Sequence, residues 1–112
     1  MEAVPKRIKR LLRDHAAAAH EEELRRALLP LSAAFDKWKQ GHLSSGELSE
    51  LIHEFHQGPA RDLFVKYNRR LLGTAVAHAI VAGVLNRATV PAELLDHLSR
   101  AIDYHEAEES QK

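Results

Sequence analysis

The segment Leu71 to Leu85, LLGTAVAHAIVAGVL, most constrains how this chain folds. It carries no formal charge, and Thr74 and His78 are its only polar side chains. A surface helix shows one apolar stripe, whereas a helix that is apolar nearly all round has to be covered on most sides. Its 15 residues fall short of the roughly 20 apolar residues that a membrane span requires. The segment therefore reads as the central helix of a bundle. No segment alternates apolar and polar residues at period two, and Ala and Leu, both strong helix formers, are abundant. The expected fold is all-α: a four- or five-helix up-and-down bundle forming one domain over residues 1–112.

The helices around that centre can be placed from their stripes and stop signals. The first is expected to begin near Pro5, which suits a first-turn position. Ile8, Leu11, Leu12, His15 and Ala19 share one face, and Leu24, Ala27, Leu28, Leu31, Ala34, Phe35 and Trp38 form a second stripe. At 100° per residue the two stripes point roughly 150° apart. Either the chain bends between Ala19 and Leu24, or its N-terminal part packs on a surface other than its own bundle. Pro30 predicts a kink and Gly41 a stop. Ser44-Ser45-Gly46-Glu47 has the capping-box spacing, opening a short helix that buries Leu48, Leu51, Ile52 and Phe55. Gly58-Pro59 predicts a break, followed by a third helix from about Pro59 to Asn86. Within it Gly73, Ala75, Ala77, Ala79, Ala82 and Gly83 let another backbone come close. Thr89 and Pro91 mark the start of a last helix with the stripe Leu94, Leu95, Leu98, Ala101, Ile102 and His105. The acidic tail over 106–112 is expected to fray.

Composition removes several classes of function. The net charge is zero with histidine neutral, so no global field draws the chain to nucleic acid or membrane. The chain has no cysteine, which excludes a disulfide framework, a thiolate zinc site and a cysteine nucleophile. No signal-peptide pattern follows the basic start, so a cytoplasmic protein is the expectation. No nucleophile motif, phosphate loop or dinucleotide fingerprint occurs, so a binding protein is expected before an enzyme, with no cofactor. Charge is uneven, however. Lys6, Arg7, Lys9, Arg10 and Arg13 face only Glu2 near the start, while Asp103, Glu106, Glu108 and Glu109 face only Lys112 near the end. The basic segment is a short amphipathic helix that suits phosphates, an anionic membrane or an acidic partner. It has no aromatic residue for base stacking, which places a nucleic-acid module behind protein binding.

Eight histidines raise the question of metal. The densest set is Glu50, His53, Glu54 and His56, in which Glu50 and His53 form one Glu-x-x-His pair. A di-iron bundle needs two such pairs and two further glutamates. His53 and Glu50 also lie opposite Leu48, Leu51 and Phe55, a placement that suits a solvated polar face. Arg61 and Asp62, after Gly58-Pro59, suggest a polar corner with anion-binding backbone donors, or simply a hinge. His78 differs, because it sits inside the apolar segment and needs a hydrogen-bond partner there. A carbonyl, Thr74, Tyr67 or the same residue across a two-fold axis would serve, giving a core histidine, a pH-sensitive interface or a pocket residue. The leading expectation is an interaction protein that forms a homodimer and binds a protein partner. Its interface would use Ile8, Leu11, Leu12, Val76, His78 and Ile80, because the N-terminal stripe lacks an obvious surface in its own bundle. A metal-binding bundle is the alternative.

Overall fold

A computed structural model describes residues 4–68 and 71–111. The expectations that touch Glu2 and Lys112 lie outside the described residues. The described chain is all-α, with no strand. Helix α1 (Lys6–Lys39) is followed by α2 (Ser45–Phe55), a π-helical turn (His56–Ala60), α3 (Arg61–Tyr67), α4 (Leu72–Val81), α5 (Ala92–His97) and α6 (Ser99–Ser110).

Helix α1 is unbroken for 34 residues and passes through Pro30. At 1.5 Å per residue it is about 51 Å long, which accounts for most of the molecule's 58 Å length. There is no break between Ala19 and Leu24. The two stripes instead meet two different sets of this chain's own helices: α4 and α5 at the N-terminal end, α2 and α3 farther along. Gly41 ends the helix at φ +81°, where the His42 amide donates to the Lys37 carbonyl at 2.8 Å and the Gly41 amide to Trp38 at 3.0 Å. This is the Schellman arrangement, and the positive φ it requires favours glycine. The capping box forms as its spacing predicts. The Glu47 amide donates to Ser44 Oγ at 3.0 Å, and the Ser44 amide donates to the Glu47 carboxylate.

The predicted break at Gly58-Pro59 is absent. The helix carries on through a π-helical turn that contains both residues. Proline lacks an N–H and crowds the preceding carbonyl, and a widened turn accommodates both defects without ending the helix. Helix α3 ends at Tyr67 and α4 begins at Leu72, so the long third helix of the prediction is divided in two. Gly83, at φ +76°, closes α4 with the same pattern of amide bonds as Gly41.

Short as it is, α4 occupies the centre of the bundle. Ala75, Val76, Ala77, Ala79 and Ile80 are buried between α1, α3 and α6. The small residues allow this close approach: a Cβ added at Gly73 would lie 3.4 Å from a Leu98 methyl. Ile8, Ala16, Ala19, Tyr67, Val90, Leu94, Leu98 and Ile102 complete the core. The last helix is divided at Leu98, whose backbone (φ −95°, ψ 5°) leaves the α region. The acidic tail is helical to Ser110 rather than frayed, and Arg87 reaches Glu106 at 3.8 Å.

This packing corrects the predicted interface. Ile8 is 7% exposed, Val76 0% and Ile80 4%, all covered by the chain's own helices. Leu11 and Leu12 pack against the same core. The N-terminal stripe packs on α4 and α5, with Leu11 and Leu12 half-buried there.

Candidate functional site

Two regions remain chemically unfinished. The first is polar and lies where α1, α3, α4 and α6 converge. Spacing of three on α1 sets His20 and Glu23 on one face. Lys66 and Tyr67 come from the last turn of α3, His78 from α4 and His105 from α6. The Glu23 carboxylate is the hub. Its Oε2 accepts a short hydrogen bond from the Tyr67 hydroxyl and a second, of 3.0 Å, from Lys66 Nζ. Lys66 Nζ also lies 3.4 Å from His78 Nδ1 and 5.1 Å from the centre of the Tyr67 ring. His20 stacks on Tyr67, ring centres 5.5 Å apart.

The electrostatics follow from these contacts. Burial opposes ionisation of Glu23, but the bonds from Tyr67 and Lys66 outweigh it and hold the carboxyl below its ordinary range. Burial, then Glu23's demand for the phenolic proton, push the Tyr67 hydroxyl up. His78 is held below the usual imidazole range, first by burial and then by Lys66 and His105, against a pull upward from Glu23 and Glu109. Neutral His78 then accepts from Lys66 at Nδ1. Within the chain, His78 thus meets Lys66 and His105 rather than Thr74 or Tyr67.

The rings of His78 and His105 meet edge to face, 5.3 Å apart, and Tyr104 packs on His105 at the same distance. His105 is only 8% exposed, and neither of its ring nitrogens has a hydrogen-bond partner among the described residues. An open groove of about 1210 Å³ runs past this pair, lined by Val65, Lys66, Asn68, Leu71, Thr74, Ala75, His78 and His105.

The second region is apolar and lies on the distal half of the molecule, where α1 pairs with α2. Ala34 and Leu48 are the buried residues of that pairing, so the two helices enclose little. Leu28 is 44% exposed, Phe35 37% and Leu51 37%. Two adjoining hollows that share Leu31 connect them, one bounded by Leu28 and Phe35, the other by Pro30, Leu51 and Phe55.

The other predicted sites stay dispersed. Glu50, His53, Glu54 and His56 are all exposed on α2 and the turn after it. No group of three His, Asp or Glu side chains among the described residues is arranged to hold a metal ion. The anion-binding corner at Arg61 and Asp62 is lost, because Pro59 lies inside a continuing helix and no free helix end exists there. Lys6, Arg7, Lys9, Arg10 and Arg13 are exposed along the start of α1. Arg7 binds Glu93 of α5 at 2.7 Å, so the basic end meets α5 rather than the acidic tail. No described helix is long and apolar enough to cross a membrane.

Sequence reading singled out His78 and named Tyr67 among its candidate partners, but missed Glu23, Lys66 and His105 as its company. The available signal was His105 itself, a polar residue on an otherwise apolar stripe. No protein-family model, curated protein or solved structure matches the chain.

Proposed function

We propose that this protein is a helical interaction module that works as a homodimer, joined through the distal faces of α1 and α2. The observation that carries this reading is the uncovered apolar face of the distal hairpin, centred on Leu28, Leu31, Phe35 and Leu51. A two-helix layer cannot bury its own apolar stripe, and the common remedy is another layer of helices. Two such hairpins placed face to face make a four-helix bundle.

The spacing along α1 favours a second copy as the occupant. Leu24, Leu28, Leu31, Phe35 and Trp38 follow one another at intervals of four, three, four and three, the heptad rhythm of a coiled-coil seam. Ala27 and Ala34, beside that seam, are taken up by α2 and α3. The stripe is also self-complementary. An antiparallel pairing with its two-fold axis between Leu29 and Pro30 sets Leu28 of each copy opposite Leu31 of the other, and Leu24 opposite Phe35.

Light scattering after size exclusion, over a concentration series, tests the reading. The expected wild-type mass is twice the 12.6 kDa of the chain. The double variant Leu28→Glu, Phe35→Glu should run at the single-chain mass with its helical circular dichroism intact. A wild type that stays at the single-chain mass across the series, or a variant that stays dimeric, overturns the proposal.

A further inference from the structure

We infer that the outer face of α1 over residues 6–13 binds duplex DNA through its phosphates, independently of base sequence. At 100° per residue Lys6, Lys9, Arg10 and Arg13 fall within an arc of about 100°, and the buried Ile8 lies about 150° from its centre. All four cations are exposed, and none has an ion-pair partner among the described residues. Arg7 stands at the edge of the arc and is bound to Glu93 of α5. Asp14, seven residues on, shares that edge rather than the centre of the face.

The arrangement works against the helix that carries it. The first turn of α1 holds no acidic residue, and Pro5 at its N-cap makes no side-chain bond to the free amides. Cations gathered at the positive end of a helix dipole oppose it. A local rule broken without a gain inside the fold marks a functional surface. Anions brought from outside supply the missing compensation.

The chemistry of the face selects the partner. The bundle takes Ile8, Leu11 and Leu12 inward, so the outer arc over residues 6–13 is left with charge alone. A protein interface needs an apolar core. A basic segment with no inserted apolar group or lipid chain does not anchor stably to a membrane. A nucleic-acid duplex differs, because each phosphate neutralised releases condensed counterions, and charge alone then drives binding. Single strands are held by stacking on aromatic rings, and residues 6–13 include none. The face belongs to one unbroken helix, so it is a ridge rather than a plane. The major groove of B-form DNA, about 12 Å wide, admits such a ridge, whereas the deep and narrow one of A-form RNA does not. Neutrality of the whole chain is no obstacle, since at physiological salt the field of a distant charge fades within about 8 Å.

Fluorescence anisotropy of a labelled duplex of roughly 10 base pairs, one helical turn, is the assay. Four phosphate contacts predict a slope of about −3.6 in log affinity against log salt, a loss of about 150-fold between 50 and 200 mM. Replacing all four cations (Lys6→Gln, Lys9→Gln, Arg10→Gln, Arg13→Gln) should weaken binding by at least about a hundredfold. The melting temperature of that variant should hold or rise, because cations leave the positive helix end. Lys9→Gln alone should reduce the slope by about 1. No binding at low salt, a flat salt dependence, or binding that the quadruple variant keeps overturns the inference. A lower melting temperature in that variant does so too, since it would give the cations a role within the fold. Equal or tighter binding of duplex RNA, of phosphatidylserine vesicles or of polyglutamate at the same salt also overturns it. Leu28 lies about 22 Å from Arg13 along α1, beyond the screening length. The Leu28→Glu, Phe35→Glu variant should therefore bind the duplex as the wild type does, chain for chain, and a loss there counts against this face.

Discussion

Glu23 joins α1 to α3 by accepting from both Tyr67 and Lys66, and its removal should be felt as one coupled loss. In Glu23→Gln the neutral amide still reaches Tyr67, but both charge-assisted bonds are gone. Hydrogen bonds to a charged group contribute about 1.5–3 kcal/mol each when buried. Glu23 and Lys66 keep 21% and 29% of their side-chain surface, and this solvent contact reduces each bond to about 1 kcal/mol. The expected loss is thus about 2 kcal/mol. With an unfolding entropy of about 2.1 cal/mol/K per residue, a chain of this length should melt roughly 8 °C lower. Tyr67→Phe removes one of the two bonds and should cost about 1 kcal/mol. Because both changes strike the same bond, the double variant should cost less than the sum of the singles, with a coupling of about 1 kcal/mol. Urea unfolding followed by circular dichroism at neutral pH, at one protein concentration, measures all four proteins. A coupling near zero would mean that the Tyr67–Glu23 bond contributes nothing, and the account of the hub would be wrong.

Other consequences follow from the same packing. Leu94 is fully buried, so Leu94→Ala should lose about 2–5 kcal/mol through the cavity it leaves; calorimetric melting reads this, and a loss below 1 kcal/mol would mean that the core refills. Ser44→Ala should cost about 1 kcal/mol by removing the α2 cap, and Gly41→Ala about the same by forcing a side chain to φ +81°. Added bulk is not the reason at Gly41, since nothing lies near its Cβ position, so Gly41→Asn, which tolerates positive φ, should lose less. The depressed pKa of His78 gives a pH dependence of definite sign. As pH falls through the ordinary imidazole range the unfolded chain takes up a proton that folded His78 refuses, so stability falls with it. The stability difference between wild type and His78→Phe should therefore shrink between pH 7.5 and 5.5, a window set by the unperturbed value of about 6.5. An unchanged difference would contradict the assignment. Depression of the Glu23 pKa adds a second loss only below its own ordinary range, at more acid pH.

Much of this architecture was legible in one dimension. The all-α class follows from periodicity, and the end of α1 and the start of α2 from residues with local roles: Gly41 supplies a positive φ, and Ser44 with Glu47 satisfies free amides. The buried character of α4 follows from its lack of charge. These are interactions between near neighbours in the chain, so sequence spacing describes them directly. Gly58-Pro59 misled because a local rule has two solutions: proline defects end a helix or widen it, and packing of α3 on α1 selects widening. The break after Asn68 and the division at Leu98 carry no comparable local signal.

The second stripe of α1 was visible in the sequence, but which part of it stays bare was not. Ala27 and Ala34 face α2 and α3 while Leu28 and Phe35 do not, and the angle at which α2 crosses α1 sets that division. The polar hub has the same origin. Glu23 and Tyr67 are far apart in the chain, as are Lys66, His78 and His105, and no spacing rule connects them. Sequence alone determined that this chain is helical, where α1 stops and α2 is capped, and which segment lies at the centre. Only the tertiary structure decided that the N-terminal stripe is covered from within, that the α2 histidines stay apart, and that the ring nitrogens of His105 are buried with no hydrogen-bond partner among the described residues. Helix-forming forces act over a turn or two, whereas burial, pairing and the cost of an unmet polar group depend on what the rest of the chain brings alongside.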